Sequence, residues 1–243
     1  FLFLLLIIGC KPKKEAPEYH LGELTMDTYV AIGTGNTAGY MDDALYYDGQ
    51  SNSYANIISR QINMIHNLSF EIPYVSESSV GINLNGESHL IMGYKTDCNS
   101  EESLSPLRAT INGDNTILGN NIFNTNSKFT NLGIPNLHLV EVDQIGYGDP
   151  SSGLGNYNPF YHRIVSNIAS GTVLNDALAS VPTFVTISLG DQDVMSYAAS
   201  GGTTNSLPPS NGVNGIGFDG SLDYIVSELT NGGAKEPLQT FQM

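Results

Sequence analysis

Apolar and polar positions along this chain follow two rhythms, short unbroken apolar runs and apolar residues at helical spacing. Val30, Ala31 and Ile32 form an apolar run too short for a helix, ended by glycines at 33, 35 and 39, which predicts a buried strand entering a tight turn. Ile57, Ile58, Ile62 and Ile65 recur at helical spacing, so the pattern predicts an amphipathic helix over about Tyr54 to His66 facing a sheet. Thr183 to Leu189, rich in β-branched residues, reads as a strand buried on both faces of a parallel sheet, running into Gly190. Leu222, Ile225, Val226 and Leu229 predict a helix over Ser221 to Leu229, with Gly232 and Gly233 as its stop.

Between these lie weaker signals. Phe70 to Arg108 alternates apolar and polar runs and suggests a hairpin or an extended excursion, and Ala109 to Lys128 reads as loop. Leu132 to Val142 leads from a Gly-Ile-Pro turn into alternating apolar positions, either a strand end or the start of a helix. A helix around Tyr161 to Ala169 and a helical segment over Thr172 to Ser180 complete the pattern. Strands separated by helices imply an α/β sheet with right-handed crossovers, and such sheets place their sites at the carboxyl ends of strands. Both glycine turns fall there.

Charge narrows the partners. With 24 acidic and 9 basic residues the formal net charge is -15, which repels a phosphate backbone and offers no basic stripe for nucleic acid. The opening FLFLLLIIGC followed by Lys11, Lys13 and Lys14 is too short to span a bilayer, which takes about 20 residues. It matches the apolar stretch of a secretion signal whose start is missing. Its ending, Ile-Ile-Gly-Cys, resembles a bacterial lipobox, which would make Cys10 a lipid-bearing residue. The expected organisation is therefore a signal peptide over 1–10, a solvated tether over 11–27 and a globular domain over 28–243. Cys98, the other cysteine, lies in a polar loop. With a lipid on Cys10 no partner remains for an internal disulfide, two cysteines offer no zinc cluster, and no metal or cofactor is expected.

Four segments in order carry a resemblance. AIGTGNTAGY with DDALYYDGQSNSYANII, then NLGIPNLHL, then TFVTISLGDQDVMSYAASGG, and finally LTNGGAK resemble the blocks of the SGNH (GDSL-type) ester hydrolases, closest to the secreted lipoprotein branch typical of Bacteroidetes. The likeness covers about Tyr29 to Lys235. It implies a three-layer α/β/α flavodoxin-like fold with a parallel sheet, incomplete at the carboxyl terminus. The reaction it implies is acyl transfer by a serine and a histidine, with an oxyanion held by backbone and side-chain donors.

Residue by residue, the match is partial. The first block aligns to Gly33 through Gly39 and places Gly35 in the serine slot. Glycine keeps a backbone N–H for an oxyanion but has no atom to carry an acyl group. Thr34 and Thr37 are the neighbouring hydroxyls, read as turn-forming. The oxyanion glycine slot falls on Asn136. In the third block Gly190 and Asp193 match while the asparagine slot holds Gln192, with Asp193 expected to brace the loop. An Asp-x-x-His block is absent, since none of His20, His66, His89, His138 or His162 follows an aspartate by three, and His138 is the spare base candidate.

Two functions follow. One is an SGNH-type esterase or lipase-like lipoprotein, catalytically impaired, held in the cell envelope by a lipid on Cys10. The lack of an acidic run after Cys10 favours the inner face of the outer membrane. The other is a non-catalytic envelope lipoprotein binding a glycan, lipid or protein through the former cleft, with Tyr40, Tyr46, Tyr47 and Tyr54 either stacking on that ligand or packing helix against sheet.

Overall fold

The computed structural model describes residues 22, 24–126, 128–153, 155–203 and 207–231. The signal segment with Cys10, the tether apart from residues 22 and 24–27, and the Gly232–Gly233 stop lie outside the described residues. In chain order the elements are strand β1 (Tyr29–Gly33), helix α1 (Gly35–Ala38), the strand pair β2 (Tyr40–Met41) and β3 (Ala44–Leu45), helices α2 (Tyr47–Ser51) and α3 (Tyr54–Ile62), strands β4 (Leu90–Thr96) and β5 (Glu102–Arg108), and helix α4 (Thr116–Gly119). There follow β6 (Asn131–Gly133), a 3₁₀ turn at Leu139–Glu141, a second at Pro150–Ser152, α5 (Pro159–His162), α6 (Val173–Ala179), β7 (Phe184–Ser188), α7 (Asp191–Ala199) and α8 (Phe218–Asn231).

The chain is α/β, built on a parallel three-stranded sheet of order β6-β1-β7. Ala31, Ile32 and Gly33 pair with Asn131, Leu132 and Gly133 on one side, and Tyr29 to Gly33 pair with Phe184 to Ser188 on the other. Because side chains alternate along a strand, β1 feeds two apolar clusters. Val30 and Ile32 join the larger, with Leu132, Leu137, Leu139, Leu174 and Ile225. Tyr29 and Ala31 join the smaller, with Ala55 and Leu68 and with Ile58 and Ile62 of α3. All five residues of β1 are buried, as the apolar run requires.

Several expectations need correction. The strand read as buried on both faces is β7, yet only Val185 along it is buried, because it lies at an edge of the described sheet. The doubly buried strand is β1. The helix expected to reach His66 ends at Ile62; its sheet-facing residues are Ala55, Ile58 and Ile62, while Ile57 in it and Ile65 beyond it are exposed. Ser53 caps this helix by accepting from the Asn56 N–H. The helix expected over Tyr161 to Ala169 is only the four residues of α5. Tyr161 reaches the core from α5, and Ile164 and Val165 reach it from the turn that follows. Over Leu132 to Val142 both alternatives hold in part, since Leu132 and Gly133 end β6 and Leu139 opens the 3₁₀ turn, with Leu137 and Leu139 buried. The 70–108 excursion closes as the β4–β5 hairpin, and α6 begins at a Thr172 cap that accepts from the Asn175 N–H.

The amino end of β1 is anchored within the expected tether. The Ser69 N–H donates to the Asp27 carbonyl, and Asp27 meets His66 at 2.9 Å.

Candidate active site

Parallel pairing sets the geometry. Gly33, Gly133 and Ser188 are paired at the carboxyl ends of β1, β6 and β7, so the loops carrying Gly35, Asn136 and Gln192 leave the sheet at the same end. Carboxyl ends of parallel strands are where open α/β sheets hold ligands. The three loops are also stitched to one another. Asn131 donates to the Thr37 carbonyl (3.1 Å), joining the β6 side to α1, while the Thr34 hydroxyl donates to the Asp191 carboxylate (2.9 and 3.0 Å), joining β1 to α7. Asp193 closes the third side. It accepts from the Leu139 N–H at 3.1 Å and from His138 Nδ1 at 3.3 Å.

Each expected site residue can now be located. Gly35 opens α1, and a Cβ added to it would touch only Tyr40, at 3.4 Å, an ordinary contact. The fold does not require glycine there. At Gly133 it does, since a Cβ would lie 2.1 Å from the Ala38 nitrogen. Asn136 has φ 64°, the left-handed backbone that glycine and asparagine adopt with least strain. Gln192 sits in the first turn of α7, and its side-chain amide donates to Ser196 at 2.9 Å, along its own helix. Asp193 is 3% exposed and engages both oxygens.

The threonines beside Gly35 are structural. Thr34 is buried with its hydroxyl committed to Asp191, and Thr37 is buried with its hydroxyl 3.0 Å from that of Tyr54. The other tyrosines also pack: Tyr40 meets Phe160 edge-on, Tyr46 stacks on His89, and Tyr47 leans on Tyr74. Cys98 is exposed.

Sequence reasoning did not find the network behind His138. The His138 N–H donates to Glu141 (2.9 Å), which also accepts from the Tyr147 hydroxyl (2.9 Å). Asn158 donates to that hydroxyl and to the Pro135 carbonyl, both at 2.9 Å. The hydrogen bond to Asp193 raises the His138 imidazole above its ordinary value, with burial partly opposing and Glu141 adding to the rise. Burial raises the Glu141 carboxyl, opposed by the His138 N–H. A His-x-x-Glu cap carries no signal strong enough to reveal a partner 55 residues away.

Just inside this rim, a cavity of about 10 Å³ is lined by Ala38, Asn131, Gly133 and Pro135 and by Gln50 and Arg163. That is room for about one water. Arg163 is buried and donates to the Pro73 and Tyr74 carbonyls, and burial pushes its guanidinium down to about 10. Among the described residues no group of three or more histidines, cysteines and carboxylates is placed to hold a metal. No helix among them is long and apolar enough to cross a membrane. No family model matches the chain, and no match was found among curated proteins or solved structures.

Proposed function

We propose that this chain is an SGNH (GDSL-type) hydrolase-like lipoprotein of the cell envelope, carrying an ester-binding site at its strand ends from which the serine nucleophile is missing. One observation carries the reading. Three segments that resemble the family's blocks, about 100 and 50 residues apart in sequence, leave adjacent parallel strands at the same end. The left-handed backbone at Asn136, in a slot where the family has glycine, and the space for a Cβ at Gly35 support the same assignment.

In this reading the described sheet is part of a three-layer α/β/α flavodoxin-like domain, and Cys10 carries the lipid that anchors it. The N–H of residue 35 and the residues Asn136 and Gln192 surround the carbonyl oxygen, and Asp193 fixes the loop. Acyl transfer through residue 35 does not occur, because glycine offers no nucleophile. A second reading, a non-catalytic binder of a glycan, lipid or protein, is favoured by Gln192, whose amide is spent on Ser196 rather than on a ligand.

The site is tested by titrating the isotope-labelled protein with monoethyl butylphosphonate, a tetrahedral mimic of an ester's oxyanion. Amide shifts confined to residues 34–36, 136–139 and 190–193 are expected. Shifts elsewhere only, or none at millimolar ligand, would sink the assignment.

A further inference from the structure

We infer that His138 and Asp193 form a base and its orienting carboxylate, and that the pair drives direct attack of water on an ester carbonyl at the strand ends, a route that needs no serine. The inference rests on the ester site proposed above. Its own support is topological. β6 and β7 are not neighbours, since β1 lies between them. A hydrogen bond from His138, after β6, to Asp193, after β7, therefore spans the end of β1, the strand that leads into Gly35. At Gly35 a side chain would meet only Tyr40, at ordinary contact distance, so packing does not close the position from which a serine hydroxyl would project.

The pair is built as an acid–base device. An ionised carboxylate only accepts, so the bond to Asp193 assigns the imidazole proton to Nδ1 and leaves the Nε2 lone pair as the base. Nε2 makes no hydrogen bond among the described residues, and the ring is 29% exposed, so water can reach it. Asp193 cannot swing away, being buried and held by the Leu139 N–H. The His138 backbone is pinned by Glu141 and, through Tyr147, by Asn158. The charged groups that act on the ring, Asp193 and Glu141, are both acidic and stabilise the imidazolium formed during the reaction.

The step balances without any further reagent. Water gives a proton to Nε2 as its oxygen bonds to the carbonyl carbon, and the carbonyl π electrons move to oxygen. When the carbon–oxygen double bond re-forms, the bond to the leaving alkoxide breaks and the alkoxide takes the proton from Nε2, yielding acid and alcohol.

The test uses the full chain and p-nitrophenyl acetate, with free imidazole at equal concentration as the benchmark. Wild-type turnover should exceed the benchmark and rise with pH through a single imidazole titration to a plateau. His138→Gln should lower it by roughly 100-fold, the scale of a lost general base. Asp193→Asn should lower the plateau and move the midpoint to lower pH. His66→Gln serves as the control, because His66 also meets an aspartate (Asp27, 2.9 Å) but at the amino end of β1, and it should leave the rate unchanged. Should Asp193→Asn fail to fold, nitrogen NMR of the wild type decides, with the neutral ring expected as the Nδ1–H tautomer. The inference is overturned by an Nε2–H tautomer, by a folded His138→Gln protein with the wild-type rate, by a flat pH profile, or by wild-type turnover no faster than imidazole. Phosphonate shifts at the strand ends alongside any of these results would leave the ester site standing and remove only the base.

Discussion

The strand-end rim and the β4–β5 ribbon are held together by different means. At the rim, side chains tie distant segments together: Thr34 to the Asp191 carboxylate across 157 positions, Asn131 to the Thr37 carbonyl across 94, His138 to Asp193 across 55. The ribbon is a ladder of seven cross-strand pairs, from Leu90↔Arg108 to Thr96↔Glu102. It leaves Met92, Tyr94 and Leu104 well over half exposed. Arg108 ties its base to Glu87 and Asp43. A backbone ladder is indifferent to most side chains, whereas a rim made of side-chain bonds is not, so substitutions should cost far more at the rim.

Within the rim, the sharpest contrast is between two glycines. Gly133→Ala would drive a Cβ into the backbone of α1, 2.1 Å from the Ala38 nitrogen, which no side-chain rotation relieves. A loss of about 3 kcal/mol or more is expected, at or above the usual range for overpacking. Gly35→Ala meets only the Tyr40 side chain at contact distance, and with less chain entropy to lose it should change stability by under about 1 kcal/mol, in the stabilising direction. Paired urea melts measure both. Equal costs at 133 and 35 would mean that the turn after β1 is packed differently.

Asp193→Ala comes next. It strands the buried Leu139 N–H and frees His138, and a loss of about 2 kcal/mol is expected, the scale of an unsatisfied buried donor plus its lost partner. A dependence on pH should accompany it. The His138 imidazole titrates higher in the folded chain than its ordinary 6.5, so the pair's contribution is full below about that pH and is lost as pH rises through the folded value. Thermal melts between pH 6 and 8 should show a decline in Tm that His138→Gln abolishes. A decline that persists in His138→Gln would assign the effect to another group.

The same contrast explains what the sequence revealed. β1 is readable because burial on both faces leaves an unbroken apolar run, whereas alternating runs over 70–108 fit a hairpin and an extended excursion alike, and the ladder over 90–108 decides for the hairpin. α7 was not read as a helix: Val194, Met195 and Tyr197 are exposed, so its apolar residues mark no buried face. The 161–169 segment misled in the opposite sense, because Tyr161 reaches the core from the short α5 while Ile164 and Val165 reach it from a turn that Arg163 clamps to the Pro73 and Tyr74 carbonyls. At the site, the motif slots could be aligned residue by residue. The left-handed backbone of Asn136, the diversion of Gln192 to Ser196 and the meeting of His138 with Asp193 are properties of the closed rim, which no local pattern encodes.

The smallest effect belongs to the ribbon. Tyr94 faces Leu104 across the strands and is 71% exposed. Tyr94→Ser gives up part of one cross-strand contact and some strand propensity, while the backbone ladder on either side is untouched. A loss of about 0.5 kcal/mol is expected, typical of exposed positions away from caps, cavities and networks. Equilibrium urea unfolding checks it, with the slope as well as the midpoint informative. An unchanged slope with a slightly lower midpoint fits a ribbon whose faces are open to water. A loss above about 2 kcal/mol would instead be the signature of full burial of a large side chain, and would show that Tyr94 is covered in solution. The division between a rim specified by side chains and a ribbon specified by its backbone would then fail.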